Sequence, residues 1–440
     1  MTFDGVAGRR LAMPALGFSR NAAGRRPIPT DHVTRWSVPP SGRVRPRYHG
    51  VVRVFLLALA VLAMPLEGAD AVVKQAFDHF YNLEFDEAIA MLQGEQALHP
   101  DSAELHNHLA QCIVFREMYR NGALESELVS GNNSFLRRPR LNPTPETEKW
   151  FLDEIAAAVR LSQARLVANP NDIAALYAEG IAYGLRSDYF WVVKKAWHDS
   201  LKDATAARRL HNRVSELQPA NVDARLVQGL HDYIVGSLPL TVRMLGFLVG
   251  IRGDKEKGLR TVEDVMLHGT DNRTDSQVML CALYRRENQP RKAIPLVQDL
   301  IQRYPRNYLL RLELAEMYSM AGDGAAGLDA MREVAALKGR NAPGYDRLSW
   351  ERIYYQEGTI QFWYRDLGAA LENLKKAAAA PERLDLNTGA LVWLRMGQIY
   401  DLTNRRAQAL AAYKRSIAFA PDAEAAQESR KYLGAPYRRT

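Results

Sequence analysis

The residues in this chain whose types could do chemistry are few and scattered. His106 and His108 lie two apart, so on a helix they point in different directions, whereas His108 and Cys112, four apart, share a face. Two such ligands without a third or fourth do not make a metal site. The acidic pairs Glu125–Glu127 and Asp153–Glu154 read as solvated helix faces. The sequence contains no phosphate-cradling glycine loop, no G-x-S-x-G nucleophile turn and no H-E-x-x-H metal helix. Cys112 and Cys281 are the two cysteines, and both read as buried thiols rather than a disulfide. Asn132-Asn133-Ser134 and Asn272-Arg273-Thr274 fit the glycosylation triplet, which matters only in a eukaryotic secretory host. No catalytic centre, cofactor or metal is expected, and recognition is left as the chemistry to look for.

The elements that would position a recognition surface are set by a 34-residue beat. Between Ala390 and Ala423, Trp393, Met396-Gly397, Tyr400, Ala409, Tyr413 and Pro421 recur at fixed spacing. From Thr274 the same spacing carries Leu280-Cys281, Tyr284, Ala293, Val297 and Pro305, and from Tyr308 it carries Leu314-Ala315, Tyr318 and a turn at Gly322-Asp323. Glu351 onward gives Gly358, Ala370, Leu374, Ala377 and Pro381, and Val72 onward gives Ala76, Ala88, Leu92 and Pro100. A small residue lets one helix lie close to the next, an aromatic fills the gap between layers, and proline stops the second helix. This pattern resembles the tetratricopeptide-repeat (TPR) superfamily. The resemblance implies an all-α fold: a right-handed superhelix, or α-solenoid, of about eight helical hairpins that stack because none can bury its apolar face alone.

The middle keeps the beat but stretches it. Helices are expected over Glu146–Asn169, from Ile173, over Lys202–Leu217 and over Asp254–Leu267, with a loop over 122–145 and a short extra helix over Tyr189–Trp197. Glu424–Leu433 reads as a capping helix, and residues 434–440 as a basic tail. Gly229-Leu230, Tyr233, Gly236-Ser237-Leu238-Pro239, Met244-Leu245-Gly246-Phe247, Gly250-Ile251-Arg252-Gly253-Asp254 and Gly258-Leu259 look like the eukaryotic inclusion-body-clearance and mitochondrial outer-membrane TPR proteins over about residues 222–268. That second resemblance implies an adaptor role and no catalytic residue.

Charge is divided unevenly along the chain. The formal net charge is +8, yet residues 1–50 hold nine arginines against Asp4 and Asp31, and residues 1–71 together carry +6, which leaves +2 for residues 72–440. A nucleic-acid partner is therefore not expected, although the pI is 9.3. Arginines 43, 45, 47 and 53 precede the apolar run Val54–Leu66, and Ala69-Asp70-Ala71 supplies small residues for cleavage. Residues 51–71 read as a secretory signal peptide, with an uncleaved anchor as the alternative. Residues 1–50 read as an Arg/Pro-rich leader or a start site placed too far upstream, with an organelle transit peptide as the alternative. The remainder, 72–433, is the expected solenoid, exported to the bacterial periplasm.

In such solenoids the first helix of each pair lines the concave face. On those helices Asp275, Arg285, Arg286, Leu312, Glu316, Met320, Arg352, Tyr355, Phe362, Trp363, Leu394, Gln398 and Asp401 lie opposite the packing residues. Arginines interleaved with aromatics suit a protein or peptide ligand bearing acidic groups and apolar anchors. The alternative is a membrane-surface adaptor that uses Leu238–Ile251, which is apolar but too short to span a bilayer and is interrupted by Arg243.

Overall fold

A computed structural model describes residues 70–122, 124, 143–238, 240, 243–244 and 252–439. The leader, the signal segment apart from Asp70 and Ala71, the loop residues 125–142 and most of 238–251 lie outside the described residues. Among the described residues the structure is helical, without strands. The helices are α1 (Asp70–Tyr81), α2 (Phe85–Leu98), α3 (Ala103–Arg120), α4 (Pro145–Ala168), α5 (Ile173–Tyr189), α6 (Trp197–Leu217), α7 (Arg225–Gly236), α8 (Lys255–His268) and α9 (Arg273–Arg286). They continue as α10 (Pro290–Arg303), α11 (Tyr308–Met320), α12 (Gly324–Gly339), α13 (Trp350–Trp363), α14 (Leu367–Ala377), α15 (Leu386–Leu402), α16 (Arg406–Phe419) and α17 (Glu424–Gly434). Each odd-numbered helix up to α15 packs on the even one that follows, each pair packs on the next, and α17 covers α15 and α16. The fold is the expected all-α stack of hairpins.

The local sequence explains the boundaries. Ser102, Thr144, Asp172, Asp254, Asn307, Asp323, Ser349, Asp366 and Asp385 each accept a backbone N–H of the helix they precede. Pro145 and Pro290 open α4 and α10, where the missing N–H costs nothing. The turn inside six of the pairs repeats one conformation: Leu83, Lys195, Asn288, Gly322, Arg365 and Asn404 all have positive φ, each two residues before the second helix starts. Gly322 adopts it freely and the asparagines at little cost, so at Leu83, Lys195 and Arg365 the packing of the pair imposes it.

The small residues act where the spacing places them. A Cβ on Gly397 would lie 2.4 Å from the Tyr413 ring, and one on Gly358 would lie 2.9 Å from Leu374. In the α7–α8 pair the contact is with backbone: a Cβ on Gly258 would sit 2.3 Å from the nitrogen of Tyr233 and 2.5 Å from the carbonyl of Gly229. Gly229, Gly236, Gly253 and Gly258 thus line a helix-on-helix seam. The aromatic insert is buried, as burial against the neighbouring repeat requires: Tyr189 stacks on Phe151 at 4.5 Å, and Trp191, Val192 and Val193 are enclosed. It differs from the expected separate helix. Instead α5 runs on to Tyr189, a π turn follows over Phe190–Lys194, and α6 begins at Trp197 rather than Lys202.

One departure from a simple solenoid decides where a site can be. The first hairpin touches pairs far along the chain. Arg306, before α11, pairs with Glu84 at 2.6 Å and Asp78 at 3.2 Å, and Asn307 donates to the Tyr81 carbonyl at 2.7 Å. Tyr81 packs on Tyr304 at 4.9 Å, and Arg347 lies over the Tyr119 ring. The stack therefore curves until α1–α3 meet the turns that precede α11 and α13, and one rim of its inner face is closed by its own beginning.

Candidate functional site

Most of the arginine and acid side chains expected on an open groove lie inside the protein. Asp275, at the start of α9, is buried and accepts the Tyr81 hydroxyl at 2.6 Å. Burial pushes its carboxyl up to about 7 against the opposing pull of that hydrogen bond. Arg285 pairs with Glu313 at 2.6 Å, and burial raises Glu313 to about 7 although Arg285 opposes it. The Arg286 guanidinium lies 5.7 Å from the Tyr233 ring. Arg352 is 1% exposed, donates to Thr388 at 2.7 Å and lies over Tyr355, itself buried. Glu316 accepts from Gln356 at 2.8 Å, Leu312 and Leu394 are core residues, and Met320 is half-buried. Of the expected groove residues, Asp275 and Arg352 are buried and Arg285 is half-buried, each engaged with another side chain of the chain. Asp275 links α9 to α1, while Arg285 and Arg352 link the first helices of neighbouring pairs.

One smaller reading changes. Glu154 is not on a solvated face: it accepts from Trp150 and Gln96 at 2.9 Å and pairs with His106 at 2.5 Å. Asp153 does stay exposed, in an ion pair with Lys149. His108 packs edge-on against Phe77 and is buried, which lowers its pKa to about 4. Cys112 and Cys281 are buried free thiols. Among the described residues no group of three or more His, Cys, Asp or Glu side chains could hold a metal, and no helix is long and apolar enough to cross a membrane.

Phe362, Trp363 and Asp401 form the part of the predicted set that meets a non-helical stretch of chain, with Gln398 beside Asp401 on α15. Phe362 and Trp363 end α13, while Gln398 and Asp401 lie near the end of α15. Across them runs the segment after α17, residues 435–439. The Tyr437 amide donates to the Asp401 carboxylate at 2.7 Å, and its ring lies 6.4 Å from Phe362 and 5.3 Å from Tyr432. Arg439 donates to the Phe362 carbonyl at 3.1 Å and the Trp363 carbonyl at 2.6 Å. Its guanidinium lies 5.3 and 5.5 Å from the two rings. Those carbonyls belong to the last turn of α13, where the helix dipole favours a cation; the Phe362 carbonyl also accepts the Arg365 amide at 3.2 Å.

The Asp401 carboxylate is fixed by Arg406 at 3.0 Å and Tyr413 at 2.8 Å, so it presents an oriented acceptor. Gln398 is held between Arg395 and Glu428. Phe362 is fully buried, but Trp363 remains 46% exposed. Sequence reasoning missed Arg395, which lies 5.0 Å from the Phe362 ring and 4.7 Å from the Trp363 ring. It precedes Gln398 by three residues and so shares its face, a signal that was available. Arg439 and Tyr437 had no such signal beyond the basic character of residues 434–440.

Paired helices with small residues at their crossings and a shared inner face identify the architecture. The fold is of the tetratricopeptide-repeat kind. No known family profile and no curated protein matches the sequence. Similar solved structures include the Cut9–Hcn1 hetero-tetramer of the APC/C, at 12% identity and a TM-score of 0.47, over 83% of this chain and 56% of that one. This chain thus spans little more than half the length of that relative. The human IFIT1 dimer with m7Gppp-AAAA is similar at 14% identity, with a TM-score of 0.41, over 86% of this chain and 89% of that one. A tetratricopeptide repeat protein from Parabacteroides merdae aligns at 12% identity, with a TM-score of 0.28, over 71% of this chain and 93% of that one.

Proposed function

We propose that the chain is a non-enzymatic scaffold, exported to the periplasm, that holds a protein or peptide partner against the ends of α13 and α15. The observation that carries this reading is the seating of residues 435–439: a non-helical stretch of chain is already hydrogen-bonded and stacked there. An aromatic anchor beside a fixed carboxylate and helix-end carbonyls is the arrangement by which interfaces concentrate their binding energy. The test is to purify the chain from its native host, identify what it retains, and titrate that partner by calorimetry against wild type and Trp363→Ala. Binding at least about tenfold weaker is expected for Trp363→Ala with unchanged thermal unfolding. Equal affinity for both chains would remove the site.

A second reading is favoured by Leu240 and Met244, which are 69% and 64% exposed and four residues apart in the apolar 238–251 stretch. Two exposed apolar side chains at helical spacing suit the surface of a membrane. Leu240→Glu with Met244→Glu should abolish co-flotation of the chain with liposomes. Flotation unchanged by the pair of substitutions, or absent from the wild type, would dismiss the membrane contact.

A further inference from the structure

The segment seated at the candidate site belongs to the same chain and follows α17 directly, so it stands at the site at a high local concentration. Its hold is specific but narrow. Tyr437 contributes one backbone hydrogen bond and a ring edge, Arg439 contributes two carbonyl contacts and two ring faces, and Arg438 between them is exposed. Opposing this, Arg439 is held below its ordinary pKa, chiefly by burial; Tyr437 works against that shift, while Arg365 and Arg395 add to it as like charges. Trp363 meanwhile keeps nearly half its surface open. A core element would be enclosed and charge-balanced. This one is neither.

We propose that residues 435–439 act as a built-in competitor, and that the ligand that displaces them is an extended peptide carrying an aromatic residue followed two places later by arginine. The proposal rests on the partner-groove reading above and adds to it the chemistry of the ligand. The spacing is that of Tyr437 and Arg439, in which alternate side chains of an extended strand point the same way and can both reach the groove. The aromatic lies on Phe362 and Tyr432, its amide meets Asp401, and the guanidinium lies across Trp363 and caps the α13 carbonyls. Recognition by ring faces and carbonyl dipoles selects arginine over lysine, whose ammonium is a compact charge without a planar face.

The cost of self-occupancy follows from tethering. A short linker gives an effective concentration on the order of 1 mM. If the free peptide binds the open site with a Kd of about 100 µM, the tethered copy weakens its apparent affinity about tenfold. The probe is a labelled synthetic peptide of sequence Ala-Pro-Tyr-Arg-Arg, capped at both ends, followed by fluorescence anisotropy on full-length chains. Tyr437→Ala with Arg439→Glu should bind it about tenfold more tightly than wild type does, and Arg439→Glu alone should show part of that gain. Adding Trp363→Ala to the released chain should abolish binding, as should replacing the last arginine of the probe with glutamate. A released chain that keeps its helicity but binds no better than wild type overturns the proposal, and so does equal binding of the glutamate probe. Loss of helicity in both released variants also overturns it, because the segment would then be part of the core. If Trp363→Ala weakens the native partner while release brings no gain, self-competition fails and the groove reading stands. If neither changes partner affinity, both fail.

Discussion

Replacing Gly258 by alanine tests the packing argument most directly, because helix propensity and tertiary contact predict opposite signs. Gly258 lies within α8, and exchanging an interior helical glycine for alanine ordinarily stabilises by about 1 kcal/mol. Here the new Cβ would lie 2.3 Å from the Tyr233 nitrogen and 2.5 Å from the Gly229 carbonyl. Ordinary contact begins at 3.4 Å, so α7 and α8 must separate by about 1 Å. Neither obstructing atom belongs to a side chain that could rotate away. Overpacking of this kind costs about 3 kcal/mol, and subtracting the propensity gain leaves a net loss of about 2 kcal/mol. Gly184 is the control: it lies inside α5, and a Cβ there would meet nothing within 4 Å. Gly184→Ala should therefore stabilise by about 0.5–1 kcal/mol. Urea unfolding followed by circular dichroism reads both, and the two midpoints should move in opposite directions. Equal midpoints for the two variants, or a Gly258→Ala chain more stable than wild type, would refute the seam.

Two further outcomes follow from the buried charges. Arg352→Glu places a carboxylate where Asp385 already lies 3.8 Å from the Arg352 guanidinium, and should cost about 3–5 kcal/mol in the same unfolding assay; a loss under about 1 kcal/mol would mean that Arg352 is a solvated groove residue after all. Asp275 holds its proton up to about 7 in the fold against an ordinary value of 3.8. Between those pH values the folded chain binds a proton that the unfolded chain has lost, so this group's contribution falls as pH rises from about 4 to 7 and is level above that. Its neighbours Tyr81 and Tyr304 are both held above their ordinary values, chiefly by burial, and so stay protonated through that window. Asp275→Asn should gain on wild type by on the order of 2 kcal/mol between pH 5 and 8. A difference that does not depend on pH would show that Asp275 titrates normally.

The helices, their order and most of their ends were legible because each depends on residues close in sequence. Gly397 meets Tyr413, Gly358 meets Leu374, and prolines and capping side chains act within a turn, so a 34-residue beat carries the information. The extent of α5 was less legible, because the π turn at Phe190–Lys194 depends on burying Trp191, Val192 and Val193 against helices elsewhere. The surroundings of the candidate groove residues were not legible. Spacing places Arg352, Gln398 and Trp363 on one side of the first helices. It cannot say that Arg352 is enclosed, that Gln398 is clamped by Arg395 and Glu428, and that Trp363 alone of the three stays open.

By itself, then, the sequence determined that this chain stacks helical hairpins, since apolar faces repeated at fixed spacing can be buried only against their neighbours. Tertiary structure alone decided how far the stack curves. Small rotations between successive pairs accumulate until Arg306 reaches Glu84, 222 residues away, and the segment after α17 runs back until Arg439 reaches Trp363. Such contacts join parts of the chain that share no local pattern, and they fix which side chains of the inner face remain to bind anything else.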